Sequence, residues 1–174
     1  MAIDRIEFMT LDTLPLDQPG EVQVQLNMLK HLALHPDIFR LVFFHLPADI
    51  RLHAKHALVE HLQKEYEVQS LNIADFTQEL IAAIRKGAWI SDLKHYEEAP
   101  VLVVDDLQFI TGKESTQEAF YAGVLKPRLE KKLLTVLFSE QGYTELSPVL
   151  RDDLRNLLKL GFHDLDLNLT LNLT

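Results

Sequence analysis

Two carboxylates stand side by side at Asp105 and Asp106, directly after the apolar run Val101-Leu102-Val103-Val104. Such a run fits a strand buried on both faces, and acids just past its end lie where open parallel sheets hold their ligands. Acids so placed can hold a magnesium-bound water and activate a second water for attack. The loop that should accompany them, G-x-x-x-x-G-K-[ST], occurs nowhere in the chain. The pattern therefore indicates a nucleotide-hydrolase scaffold whose nucleotide site has been lost.

Other groupings carry weaker chemistry. His53, His56 and Glu60 share a helical face, with His61 beside them, and imidazole plus carboxylate suits zinc or iron. No ligand from a second element is identifiable, so these histidines read as partly exposed residues of an amphipathic helix, as do His31 and His35. Lys126, Arg128, Lys131 and Lys132 form a basic cluster. It is either helix-end charge that favours solubility and the helix dipole, or a contact for a partner or weakly bound single-stranded DNA. Gln108 and Phe109 follow the acids directly, and Phe109 is expected to pack under the next helix, the alternative being an exposed contact for a partner or a single strand. No Gly-x-Ser-x-Gly elbow is present.

The chain has 174 residues, 47% of them apolar, enough for one compact domain with a substantial core. Zero cysteines exclude disulfides, thiolate catalysis and cysteine-ligated zinc. A net charge of −9 argues against a protein devoted to wrapping nucleic acid. The apolar stretches fall short of a membrane span and MAIDRIEF does not read as a signal peptide, so a cytoplasmic protein is expected.

The acids need elements to hold them. Leu14 to Gly20 reads as an irregular lead-in, followed by a helix carrying Val22, Leu26, Leu29 and Ala33 that Pro36 stops. Strands are expected at Ile38 to Phe44, Val68 to Ile73, Val101 to Asp105 and Leu133 to Ser139. A fifth, from Leu165 to Leu173, alternates leucine with polar residues as an edge strand does. Between them lie helices from about Ile50 to Lys64, one carrying Phe76, Leu80 and Ile84 that stops near Gly87, and one from about Glu114 to Leu129 with Phe120, Val124 and Leu125 inward. Gly123 and Pro127 should kink or shorten the last, and a further helix around Leu150 to Leu158 should end at Gly161. Alternating strands and helices give a three-layer α/β fold around a five-stranded, mainly parallel sheet. Residues 1–36 form the lead-in and a helix packed on the core, and residues 37–174 form the core.

DFTQELIAAIRKG, then APVLVVDDLQFITGKESTQ, resembles the AAA+ ATPase domain of the bacterial replication initiator DnaA and its relatives over roughly residues 38–168. The most restrictive part is VLVVDDLQFITGKESTQEAF, in which the acids correspond to a Walker B element. Receiver domains also contain VLVVDD, but their Lys-Pro lies most of a domain later, whereas Lys126-Pro127 follows closely here. The resemblance implies a P-loop NTPase fold with the Val101 strand central and the Leu165 strand at an edge.

The resemblance also exposes departures. After the strand LVFF the chain reads His45-Leu46-Pro47-Ala48-Asp49-Ile50-Arg51-Leu52, which puts Arg51 at the family's phosphate Lys and Leu52 at its magnesium-binding Thr. No glycine remains to let backbone N–H groups approach a phosphate. Asp49, at the start of a helix, is expected to accept those N–H groups itself. Losing three charge-assisted bonds removes roughly 4–9 kcal/mol of nucleotide affinity. Ser139 and Glu140 fall in the sensor 1 region, with Glu140 in place of an Asp, and Leu157 takes the arginine-finger position beside Asp153.

The resemblance and its departures together imply a DnaA-like protein in replication initiation or its regulation. It would act as a protein-binding module without productive ATP hydrolysis, its partner an initiator or helicase component or a second copy of itself. No cofactor is expected. The alternatives are an ATPase that binds ATP or ADP weakly with magnesium through Arg51, Asp105 and Asp106, or the core of a longer initiator-like chain.

Overall fold

The computed structural model describes residues 9–15, 17–87, 89–142, 145, 146, 148, 149, 151, 152 and 155. Four parallel strands form one sheet in the order β1-β4-β3-β2, with β1 at Leu41–His45, β2 at Val68–Asn72, β3 at Val101–Asp105 and β4 at Leu134–Ser139. The α/β class holds. The fifth strand expected at Leu165 and the helix around Leu150 to Leu158 lie outside the described residues, apart from isolated positions.

Strand alternation sends successive side chains to opposite layers. Phe43, Leu102, Val104 and Leu137 pack with Phe76 and Leu80 of α3 (Ile73–Lys86) and with Phe120 and Val124. Val42, Phe44, Val103, Val136 and Phe138 face the other way, onto Leu26 and Leu29 of α1 (Gly20–Leu34) and Ala54 and Leu58 of α2 (Ala48–Leu62). Both faces are therefore dry, which is why β3 reads as an unbroken apolar run and β4 as a buried one interrupted only by Thr135 before it ends at Ser139. Leu14 is buried in the same cluster as α1, so the lead-in joins this layer.

Several boundaries differ from the sequence expectations, each for a local reason. Pro36 starts a 3-10 turn, Pro36–Ile38, that leaves Ile38 exposed, and β1 begins only at Leu41. In α3, Ala83 is buried and Ile84 is exposed: Phe76, Leu80 and Ala83 follow the inward stripe, and Ile84 falls one step past it. Gly87, at φ 70°, closes α3 in the left-handed conformation that glycine adopts most easily. Between α3 and β3 run two short helices, α4 (Trp89–Asp92) and α5 (Lys94–Glu98).

The expected kink or early stop in the helix after Gly112 takes another form. Helix α6 (Glu114–Phe120) passes through a π-helical turn, Tyr121–Leu125, into α7 (Lys126–Glu130). Pro127 lacks an N–H to donate and its ring crowds the preceding turn, and a wider turn relieves that conflict without ending the helix. Among the described residues no helix is long and apolar enough to cross a membrane.

Candidate functional site

The acids stand at the C-terminal end of β3, between its two sheet neighbours. Asp106 has φ 56° and ψ 41°, the left-handed region, and opens the 3-10 turn Leu107–Ile110. A non-glycine residue keeps that conformation when its surroundings over-determine it. Here they do: Asn72 Nδ2 donates to Asp106 Oδ2 at 2.9 Å, and Gln108 Nε2 and Arg51 Nη2 donate to Oδ1 at 3.1 and 3.4 Å. The Asp106 N–H in turn donates to Asp105 Oδ1 at 2.8 Å.

Helix α2 supplies the cations. Arg51 Nε lies 3.5 Å from Asp105 Oδ1, and Lys55 Nζ donates to Asp105 Oδ2 at 2.8 Å. Arg51 and Lys55 are one turn apart, so both face the end of β3. Arg51 is largely buried, with Nη1 sealed from solvent and without a hydrogen-bond partner. Two positive and two negative charges within 3.5 Å make the cluster neutral.

Two amides extend the cluster in opposite directions. Asn72, which donates to Asp106, also accepts the Ala74 N–H at 2.9 Å and so caps α3. Gln108, the other donor, accepts the Glu140 N–H at 2.9 Å beyond β4. Ser139 Oγ accepts the Gln141 N–H, and Gly142 approaches the His45 ring so closely that a Cβ would lie 3.2 Å from Nδ1. At the sheet edge the Gln25 amide pairs with both the N–H and the C=O of His45 at 2.6 Å each, as a neighbouring strand would.

The structure thus brings Arg51, Asp105, Asp106, Ser139 and Glu140 to one end of the sheet, and adds Lys55, Asn72 and Gln108, whose roles in the cluster went unread. The signal for Lys55 was available, because it stands four residues after Arg51 on the same helix. Asp49 does not cap α2 as expected: Pro47 is the N-cap, no side chain caps the helix, and Asp49 is exposed. Phe109 is 48% exposed instead of packed under the next helix. Pro47, Ala48 and Leu52 are exposed along the first turns of α2.

The basic cluster does not form one surface. Arg128 is fully buried and donates to the carbonyls of Tyr96, Ala99 and Leu134 at 2.8, 2.6 and 2.7 Å and to Thr135 Oγ1 at 2.8 Å. Burial pulls its guanidinium down to about 10, so it stays charged at neutral pH and the carbonyls carry that charge. Lys131 pairs with Glu97 at 2.8 Å, leaving Lys126 and Lys132 exposed near it. Among the histidines, His53 Nδ1 accepts the Met9 N–H, and His56 lies 3.9 Å from Glu60. No group of three metal-ligating side chains occurs among the described residues. Leu157 and Asp153 lie outside them.

Known proteins share this arrangement of strands. The DnaA initiator of Symbiobacterium thermophilum is 33% identical over 114 residues, 64% of this chain and 24% of its own length. A solved structure of replication initiator DnaA bound to AMPPCP and single-stranded DNA superposes with a TM-score of 0.71 at 21% identity, over 84% of this chain and 47% of that one. The DnaC helicase loader superposes at 0.62 and 16% identity, over 94% of this chain and 88% of its own. The fold is of the AAA+ P-loop NTPase type. The sequence model described as the bacterial DnaA ATPase domain matches residues 44–164, most of the chain, and the protein belongs to that family.

Proposed function

We propose that this DnaA-family chain serves replication initiation or its regulation in the cytoplasm as a protein-binding module that completes no productive cycle of ATP hydrolysis. One observation carries the reading: the two acids that would organise magnesium are already bridged by Arg51 and Lys55. A magnesium ion at Asp105 would have to displace an ammonium at 2.8 Å and then sit beside two like charges, at a cost on the order of several kcal/mol. Leu52 offers no hydroxyl to such an ion, and the corner that opens α2 carries Pro47 and Ala48 where a phosphate loop needs glycine. The residues present do not fit a magnesium nucleotide.

The partner we favour is a replication protein, an initiator or helicase component, or a second copy of the chain. The relatives support this class of partner: one is an initiator bound to single-stranded DNA, another a helicase loader. Calorimetry with magnesium and ATP should give no binding heat at micromolar concentrations. Micromolar binding abolished by Asp105→Ala would overturn the reading. The rival, an ATPase using Arg51 for phosphate, requires Arg51 to leave both acids. It predicts radiolabelled turnover that collapses in Asp106→Asn.

A further inference from the structure

We propose that Arg51 and Lys55 act as an internal replacement for a divalent cation at Asp105 and Asp106, fixing the corner between α2 and β3 in one arrangement whether or not magnesium is present. This rests on the reading of a module without nucleotide turnover and says what keeps its emptied site in order.

The charge count comes first. Adjacent carboxylates at the end of a buried strand repel each other and oppose folding unless cations meet them. Here Lys55 takes the outer oxygen of Asp105 at 2.8 Å, while Arg51 spans the inner oxygens of both acids at 3.5 and 3.4 Å. Two monovalent charges thereby supply what one dication would.

The source of the cations matters as much as their number. Both come from α2, the helix whose first turn follows the corner where a phosphate would sit, and both reach across to β3. The bridge thus ties helix to strand directly. With Arg51 in place, Asp106 is held in its left-handed conformation, Gln108 stays oriented by Asp106, and the Glu140 N–H beyond β4 keeps its acceptor. Removing the cations should therefore do two things at once: loosen the Asp106 and Glu140 amides, and expose a carboxylate pair that takes up magnesium.

The test uses the full chain without nucleotide. The wild type, Lys55→Gln and the double variant Arg51→Gln, Lys55→Gln are melted in EDTA and in millimolar MgCl2, with hydrogen exchange followed at Asp106 and Glu140. The wild-type Tm should move by less than about 1 °C with magnesium, whereas the double variant should melt about 5–10 °C lower in EDTA and regain about half of that loss with magnesium. Lys55→Gln keeps Arg51 and guards against a double variant that does not fold. It should lose about 2–4 °C and gain a magnesium response, with faster exchange at both amides. A wild type stabilised by magnesium as strongly as the variants overturns the proposal. So does a Lys55→Gln chain with unchanged Tm and no magnesium response. ATP turnover of the wild type, assayed separately in magnesium, reads the functional proposal, so variants without a magnesium response beside a wild type that hydrolyses no ATP remove this inference alone.

Discussion

Asp105 shows what one side chain can and cannot reveal in advance. Its place at a strand end was legible from the apolar run before it. Its partners were harder to read, since Lys55 reaches it, and Asn72 reaches its neighbour Asp106, from elements 50 and 34 residues away, and only the packed sheet brings them together. Asp105→Ala should cost about 2–3 kcal/mol by leaving Lys55 without its carboxylate and Arg51 with Asp106 alone, read as a fall in chemical-denaturation midpoint with unchanged slope. Arg128 misled for the opposite reason: a charged residue among lysines looks superficial, yet here four oxygens replace its water. Arg128→Leu should cost about 3–5 kcal/mol because the buried carbonyls lose their donor, measured by the same denaturation. Tyr96 gives a pH signature. Burial, reinforced by the adjacent Glu79 carboxylate, holds its phenol well above the ordinary tyrosine range. The stabilisation this provides is complete below the ordinary tyrosine value and is lost as pH climbs through the raised one. Ultraviolet titration should show one phenolate appearing late, and Tyr96→Phe should abolish that step.

At the level of elements, period and punctuation served well wherever the core enforces them. Strands β3 and β4, and helix α3 apart from Ile84, carried their burial pattern openly. What escaped were choices made between neighbours. Gly123 and Pro127 announced trouble after α6, but whether a helix breaks or widens depends on the packing of Phe120, Val124 and Leu125, which holds it to the sheet. The end of β1 is a second example, since nothing in Gln25 marks it as a surrogate strand. Gln25→Ala should cost about 1–3 kcal/mol, because the His45 N–H and C=O then lose their partners beside buried Phe44. Native-state exchange should report it as faster exchange at the His45 amide.

For the whole molecule, the family and the α/β architecture were legible because a long stretch around VLVVDDLQF is far more restrictive than any single motif. Function was less so. Composition excluded whole classes of activity, but the ion pairs that join α2 to β3 became visible only in the fold. A neutral corner should also behave neutrally in solution. Raising salt well above physiological strength should change the Tm difference between the wild type and Lys55→Gln by less than about 2 °C, since close, part-buried pairs are little screened.

The opposite end of the sheet carries a quieter lesson. Arg128 clasps the close of α5 and the opening of β4 in a single hand, so the segments that enter the two central strands are fastened to one bolt. Neither entrance can fray alone. The base of the protein should resist proteolysis until the entire domain gives way, and circular dichroism and tryptophan fluorescence should then trace a single common melting curve.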